Sequence, residues 1–210
     1  MKKFLLLLTI IIVITSISLF LNDNKKTVTD DTLATYRNST LGISFKYPKI
    51  LTASATDGTI TLFHDIPFEN TGECDMTGED TIYPRLTDFR VTMEKMNKGL
   101  VDTMKTVSPY IPQENFINNQ VIESSGFIDK FSIGTLNGYA IYEGAEGCGQ
   151  TTYYFPVKDD QTLIVGKASI QILSGIFSGN REQEVLAVPG AISREQSQQI
   201  FLSILQTLSI

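Results

Sequence analysis

Apolar and polar side chains alternate in short runs along much of this chain, and a period of two belongs to strands rather than helices. In residues 43–47, Ile43, Phe45 and Tyr47 fall on one face and Ser44 and Lys46 on the other, with Pro48 closing the run. Residues 86–96, LTDFRVTMEKM, repeat the pattern, Phe89, Val91 and Met93 alternating with Arg90, Thr92 and Glu94. Pairs that favour tight turns punctuate these runs: Asp57-Gly58 stands between LTASAT and TITLF, and Asn137-Gly138 between FSIGTL and YAIYE, so both read as hairpins. TTYYFPV and TLIVGKASIQIL, parted by the polar Lys158-Asp159-Asp160-Gln161, add two more strands.

Helical spacing enters in two places. Leu100, Val101, Met104 and Val107 recur at intervals of three and four before Pro109 stops the run. Near the carboxyl end, Ser193 followed three residues later by Gln196 has the form of a reciprocal N-terminal cap, and Ile200, Phe201, Ile204, Leu205 and Leu208 form the apolar stripe behind it. Hairpins with a helix inserted between strands and another at the end imply an α+β domain, an antiparallel β-sheet flanked by helices.

The first 21 residues stand apart from this pattern. Lys2 and Lys3 precede an uncharged apolar stretch from Phe4 to Leu21. Its length falls between the apolar core of a cleaved signal, about 7 to 15 residues, and the roughly 20 of a spanning helix. Ser16-Ile17-Ser18 offers small residues at a signal-peptidase spacing, but cleavage there would leave Leu19-Phe20-Leu21 as an exposed apolar terminus. The reading favoured is a retained signal-anchor (residues 1–21), a polar linker (22–35) and an extracytoplasmic domain (36–210); the alternative is secretion after cleavage. Basic residues before the stretch place the remaining chain outside the cytoplasm.

Charge narrows the partners. Lys and Arg number 17 against 23 Asp and Glu, for a formal net charge of −6, and four of the bases lie within the first 26 residues. A nucleic acid or an anionic lipid surface calls for clustered cations, so the expected partners are the membrane through the amino-terminal segment and an envelope protein or glycan.

The segment YRNSTLGISFKYP, residues 36–48, resembles the opening hairpin of PsbP-like domains, and QQIFLSILQTL near the end resembles their closing helix. That resemblance implies the α/β/α sandwich of the Mog1/PsbP fold, and it implies binding or scaffolding in the bacterial cell envelope without catalysis.

Cys74 and Cys148 are the only cysteines, an even count in a chain with an export signal, and both lie in glycine-containing loop-like stretches. A Cys74–Cys148 disulfide is therefore expected. It would draw Glu73, Asp75, Glu79 and Asp80 towards Glu143 and Glu146, a carboxylate set that could take calcium. Tyr142, Tyr153, Tyr154 and Phe155 could line a carbohydrate or peptide groove, although in alternating strands half of them belong in a core. A third reading makes Cys148 the nucleophile of a hydrolase with His64, the only histidine, as its base. No Gly-x-Ser-x-Gly elbow, phosphate-binding glycine loop or zinc spacing is present.

Overall fold

The computed structural model describes residues 32–72, 74, 81–175 and 180–210. The apolar stretch Phe4–Leu21 and all but the end of the expected linker lie outside these. Within them, β1 (Leu33–Asn38) is followed, in the compact unit Ala34–Ile210, by β2 (Ile43–Pro48), β3 (Thr52–Thr56), β4 (Thr59–Ile66), β5 (Leu86–Met96) and helix α1 (Leu100–Val107). There follow β6 (Phe116–Ile117), β7 (Gln120–Val121), β8 (Ile128–Ile133), β9 (Leu136–Glu143), β10 (Gln150–Lys158), β11 (Gln161–Ala168), α2 (Asn180–Leu186) and α3 (Arg194–Gln206). β1 thus begins inside the stretch read as linker.

Among the described residues the strands form one seven-stranded antiparallel sheet in the order β3-β4-β5-β11-β10-β9-β8, with β1-β2 and β6-β7 as separate two-stranded ribbons. Its alternating side chains serve two cores. On one face Phe89, Val91 and Met93 of β5, Tyr153 and Phe155 of β10, and Leu163 and Val165 of β11 pack beneath Phe201, Ile204 and Leu205 of α3 and Phe45 of β2. On the other, Ile141, Tyr154 and Ile164 pack beneath Val101 and Met104 of α1, with Ile111 and Val121 alongside. Helices therefore cover both faces of the sheet. A smaller cluster of Ile66, Leu86, Ile170, Leu173 and Val185 brings α2 against the end of β4.

Local chemistry sets the element ends. Asp57 and Gly58 both take positive φ, 51° and 83°, as the two-residue β3–β4 turn requires. Helix α3 begins with the expected cap: Gln196 N–H donates to Ser193 Oγ at 3.2 Å, and Ser193 N–H donates to Gln196 Oε1 at 2.9 Å. A 13-residue helix is marginal alone in water, so its stability comes from burying Phe201, Ile204 and Leu205, each contributing about 1.5–3 kcal/mol. The carboxyl end meets the opening ribbon, where Ser44 and Ser209 exchange backbone hydrogen bonds and Lys46 N–H donates to Thr207 Oγ1.

Two expectations about strands are corrected. Asn137-Gly138 is not a turn: the β8–β9 reversal falls at Gly134-Thr135, and both residues lie within β9. Gly138 is needed for another reason, since a Cβ there would collide with the Tyr154 carbonyl oxygen and sit 3.0 Å from the Phe155 ring. The run TLIVGKASIQIL is also not strand throughout, because β11 ends at Ala168 and Gln171–Leu173 make a 3-10 turn.

Candidate functional site

Beyond the cover of α1, the same face of the sheet becomes polar. Thr92 of β5 is paired with Gly166 of β11, which is paired with Thr152 of β10, while Gln150 is paired with Ala168. Of these, Thr92, Gly166, Gln150 and Ala168, with Arg90, floor a groove of about 670 Å³ walled by Asn70, Tyr83, Arg85 and Thr87. Gly166 keeps the floor low: a Cβ there would lie 2.8 Å from Thr92 Oγ1 and 3.0 Å from Gln150 Oε1.

The wall is built by one buried asparagine. Asn70 exchanges backbone hydrogen bonds with Tyr83, and its amide donates to the carbonyls of Phe68 and Arg85, both at 2.9 Å. Its Oδ1 accepts from Gly72 N–H at 2.8 Å. Arg85 donates to the Asp65 carbonyl and Thr87 to the Asp65 carboxylate, each at 2.7 Å. Burial pulls the Arg90 guanidinium below its usual pKa and Asp65 acts in the opposite direction, which leaves a partly desolvated cation in the groove floor.

Cys74 and Cys148 are joined by a disulfide, with Cα atoms 5.4 Å apart, as expected. The bond ties the groove wall to the turn after β9. Disulfides persist in oxidising compartments, so the bridge points to a location outside the cytoplasm. It also removes the thiol-nucleophile reading, since neither sulfur is free. His64 engages a different partner: its Nδ1–H donates to Asp88 Oδ1 at 2.6 Å, and Asp88 Oδ2 accepts from Ile192 N–H at 2.7 Å. The irregularity where His64 and Asp65 pair with Phe89 and Thr87 leaves Asp88 unopposed, and burial raises its pKa against the opposing pull of those two hydrogen bonds.

Glu143 is the hub of a separate network next to the groove. It accepts hydrogen bonds from Ser108 and Tyr110, and at 3.1 Å from both Gln150 Nε2 and Thr152 Oγ1. Burial alone would raise its pKa, but these four donors outweigh burial and hold it below the ordinary carboxylate range. Ser108 also bonds the Tyr154 hydroxyl at 2.7 Å, and burial raises the pKa of that phenol.

Of the carboxylates expected to take calcium, Glu143 has both oxygens engaged by these side-chain donors. Glu146 sits in the turn with φ of 52°, and its carbonyl accepts from Gln171. Glu73, Asp75, Glu79 and Asp80 lie outside the described residues, and among the described residues no three His, Cys, Asp or Glu side chains gather as a metal set. The aromatic-groove reading is corrected. Tyr153, Tyr154 and Phe155 are buried at 7%, 0% and 1% exposure because β10 is a central strand with a core on each face, whereas Tyr142 is 43% exposed and donates to the Cys148 carbonyl. The groove's aromatic is instead Tyr83, also 43% exposed. Its place beside a stretch of mixed Gly, Asp, Glu and Thr gave no periodic signal by which to single it out.

No family model matches the sequence, and no curated protein does. A solved structure from Bacteroides thetaiotaomicron is similar to 80% of this chain at 10% identity with a TM-score of 0.38, and the chain spans 44% of that protein's length. No helix among the described residues is long and apolar enough to cross a membrane.

Proposed function

We propose that this chain is a non-catalytic extracytoplasmic domain of PsbP-like architecture, held at the bacterial membrane by its amino-terminal segment, that binds an envelope glycan in the sheet groove. The observation that carries the reading is the groove itself, about 670 Å³ in volume and floored by strand side chains with a wall fixed by Asn70 and the disulfide. Small ligands and chain segments are held in such concave sites by a few fixed polar groups. Thr87, Thr92 and Gln150 offer neutral donors and acceptors suited to sugar hydroxyls, Arg85 and Arg90 suit acidic substituents, and Tyr83 offers a ring for stacking. The PsbP-like part of the reading is supported by the packing of the closing helix on the opening ribbon, the two segments that carry the resemblance.

The test is equilibrium binding of the full chain to purified neutral and acidic envelope polysaccharides, with Tyr83→Ala and Arg90→Gln as variants. The reading expects saturable binding that each variant weakens about tenfold, the size of a lost stacking or charge-assisted contact. Absence of binding to every polysaccharide, or variants that bind as the parent does, would refute it.

A further inference from the structure

A second cavity, of about 240 Å³, lies at the α3 face of the sheet between the ends of β9 and β11 and the first turns of α3. Its wall includes Lys167 and Arg194 together with Ser169 and Ser197, and Asp88 is the one acid among its lining residues. In an acidic protein this is a local excess of positive charge, and it is built from distant parts of the chain.

Among the described residues that line the cavity, no acid is ion-paired with either base. Asp88 has no exposed side-chain surface, and its two oxygens are taken by His64 and the Ile192 N–H. Arg194 donates to the Ser174 carbonyl at 3.0 Å, a bond that leaves its charge in place. The Lys167 ammonium lies 6.0 Å from the Phe201 ring. Burial and the neighbouring Arg194 cation both act against its charged form, lowering its pKa. In the first α3 turn the Gln196 amide is already engaged by Ser193 Oγ. Bringing two cations to one half-closed cavity raises the energy of the empty state, and an anion between them would offset that cost.

The geometry points to a second binding site, in which Lys167 and Arg194 hold the oxyanion group of a small molecule, with the hydroxyls of Ser169 and Ser197 as further donors. The cavity admits only a compact ligand, and it adjoins the groove proposed to take glycan, with Ala168 and Ser169 lining both. Carboxylate and phosphate share the required chemistry, so both are probes.

The experiment titrates the full chain with inorganic phosphate and, separately, with acetate, at constant ionic strength made up with chloride, and follows the Lys167 amine and neighbouring amides by NMR. Saturable shifts with either anion are expected, and their preference assigns the class: phosphate alone indicates a phosphate-bearing ligand, while acetate alone or both anions indicate a carboxylate-accepting site. Lys167→Met and Arg194→Gln should each weaken binding at least about tenfold, as removal of a charge-assisted hydrogen bond does. Thermal unfolding of each variant without anion establishes that it is folded, and Lys167→Ala serves if the methionine variant is not. No saturable response to either anion, or equal affinity in the folded variants, would overturn the inference.

Discussion

Replacing both cysteines by serine removes the Cys74–Cys148 bridge while leaving side chains of similar size. The crosslink closes a loop with a sequence separation of 74. Loop-closure entropy for that length gives about 4.5 kcal/mol of stabilisation, through restriction of the unfolded chain. For a unit of this size, that loss should lower the melting temperature by about 10–15 °C. The assays are thermal and guanidinium unfolding of the parent and the double serine variant, read by circular dichroism, with the parent repeated under reductant. The variant and the reduced parent should unfold at the same lowered midpoint. The wall should survive in the folded variant, since Asn70 holds Phe68, Tyr83 and Arg85 without the sulfurs. Hydrogen exchange at the Asn70 and Tyr83 amides should therefore stay slow under native conditions. Equal stability of parent and variant would refute the entropic account, and early exchange at those amides would refute the assignment of the wall to Asn70.

Gly138→Ala should destabilise the protein by about 1–3 kcal/mol or more in the same unfolding assay, because the added methyl meets the Tyr154 carbonyl; a neutral effect would show that β9 can shift to admit it. Glu143 titrates below its ordinary value of 4.5 in the folded state, so as pH falls the unfolded chain takes up its proton first. Its stabilisation is complete above the unfolded pKa and is lost as pH falls through the folded one; Glu143→Gln should flatten the stability profile below about pH 5, and an unchanged profile would contradict the sign. Ser193→Ala should cost about 1 kcal/mol, measured by thermal unfolding, through loss of the bond to Gln196 N–H.

Features written in neighbouring residues were legible from the chain. The Asp57-Gly58 turn, the alternation in β5 and the Ser193–Gln196 cap depend on local backbone preference, and the structure carries each as expected. Asn137-Gly138 shows where that logic fails, since the same dipeptide signals a turn when φ is positive and a close strand approach when it is not. Likewise Tyr153-Tyr154-Phe155 gave no sign that both faces of β10 would be covered, which follows only from the neighbours it acquires. The arrival of Ser108 and Tyr110 at Glu143 was not legible either, since it depends on where α1 sets down its end. The extra residue at Asp88, which turns that carboxylate towards His64, had no sequence mark at all.

The sheet order has a consequence for how the protein matures. β3, β4 and β5 come from the first part of the domain and β8 to β11 from a later part, and within the sheet of the described residues the two groups meet where β5 pairs with β11. A chain delivered amino terminus first would present the unpaired margin of β5 until about 70 further residues had followed, a long-range contact of the kind that slows folding. During that interval the exposed margin is open to pairing with another chain. Helix α3 closes over strands from both groups, so the core on that face is complete only once residues 194–206 have followed.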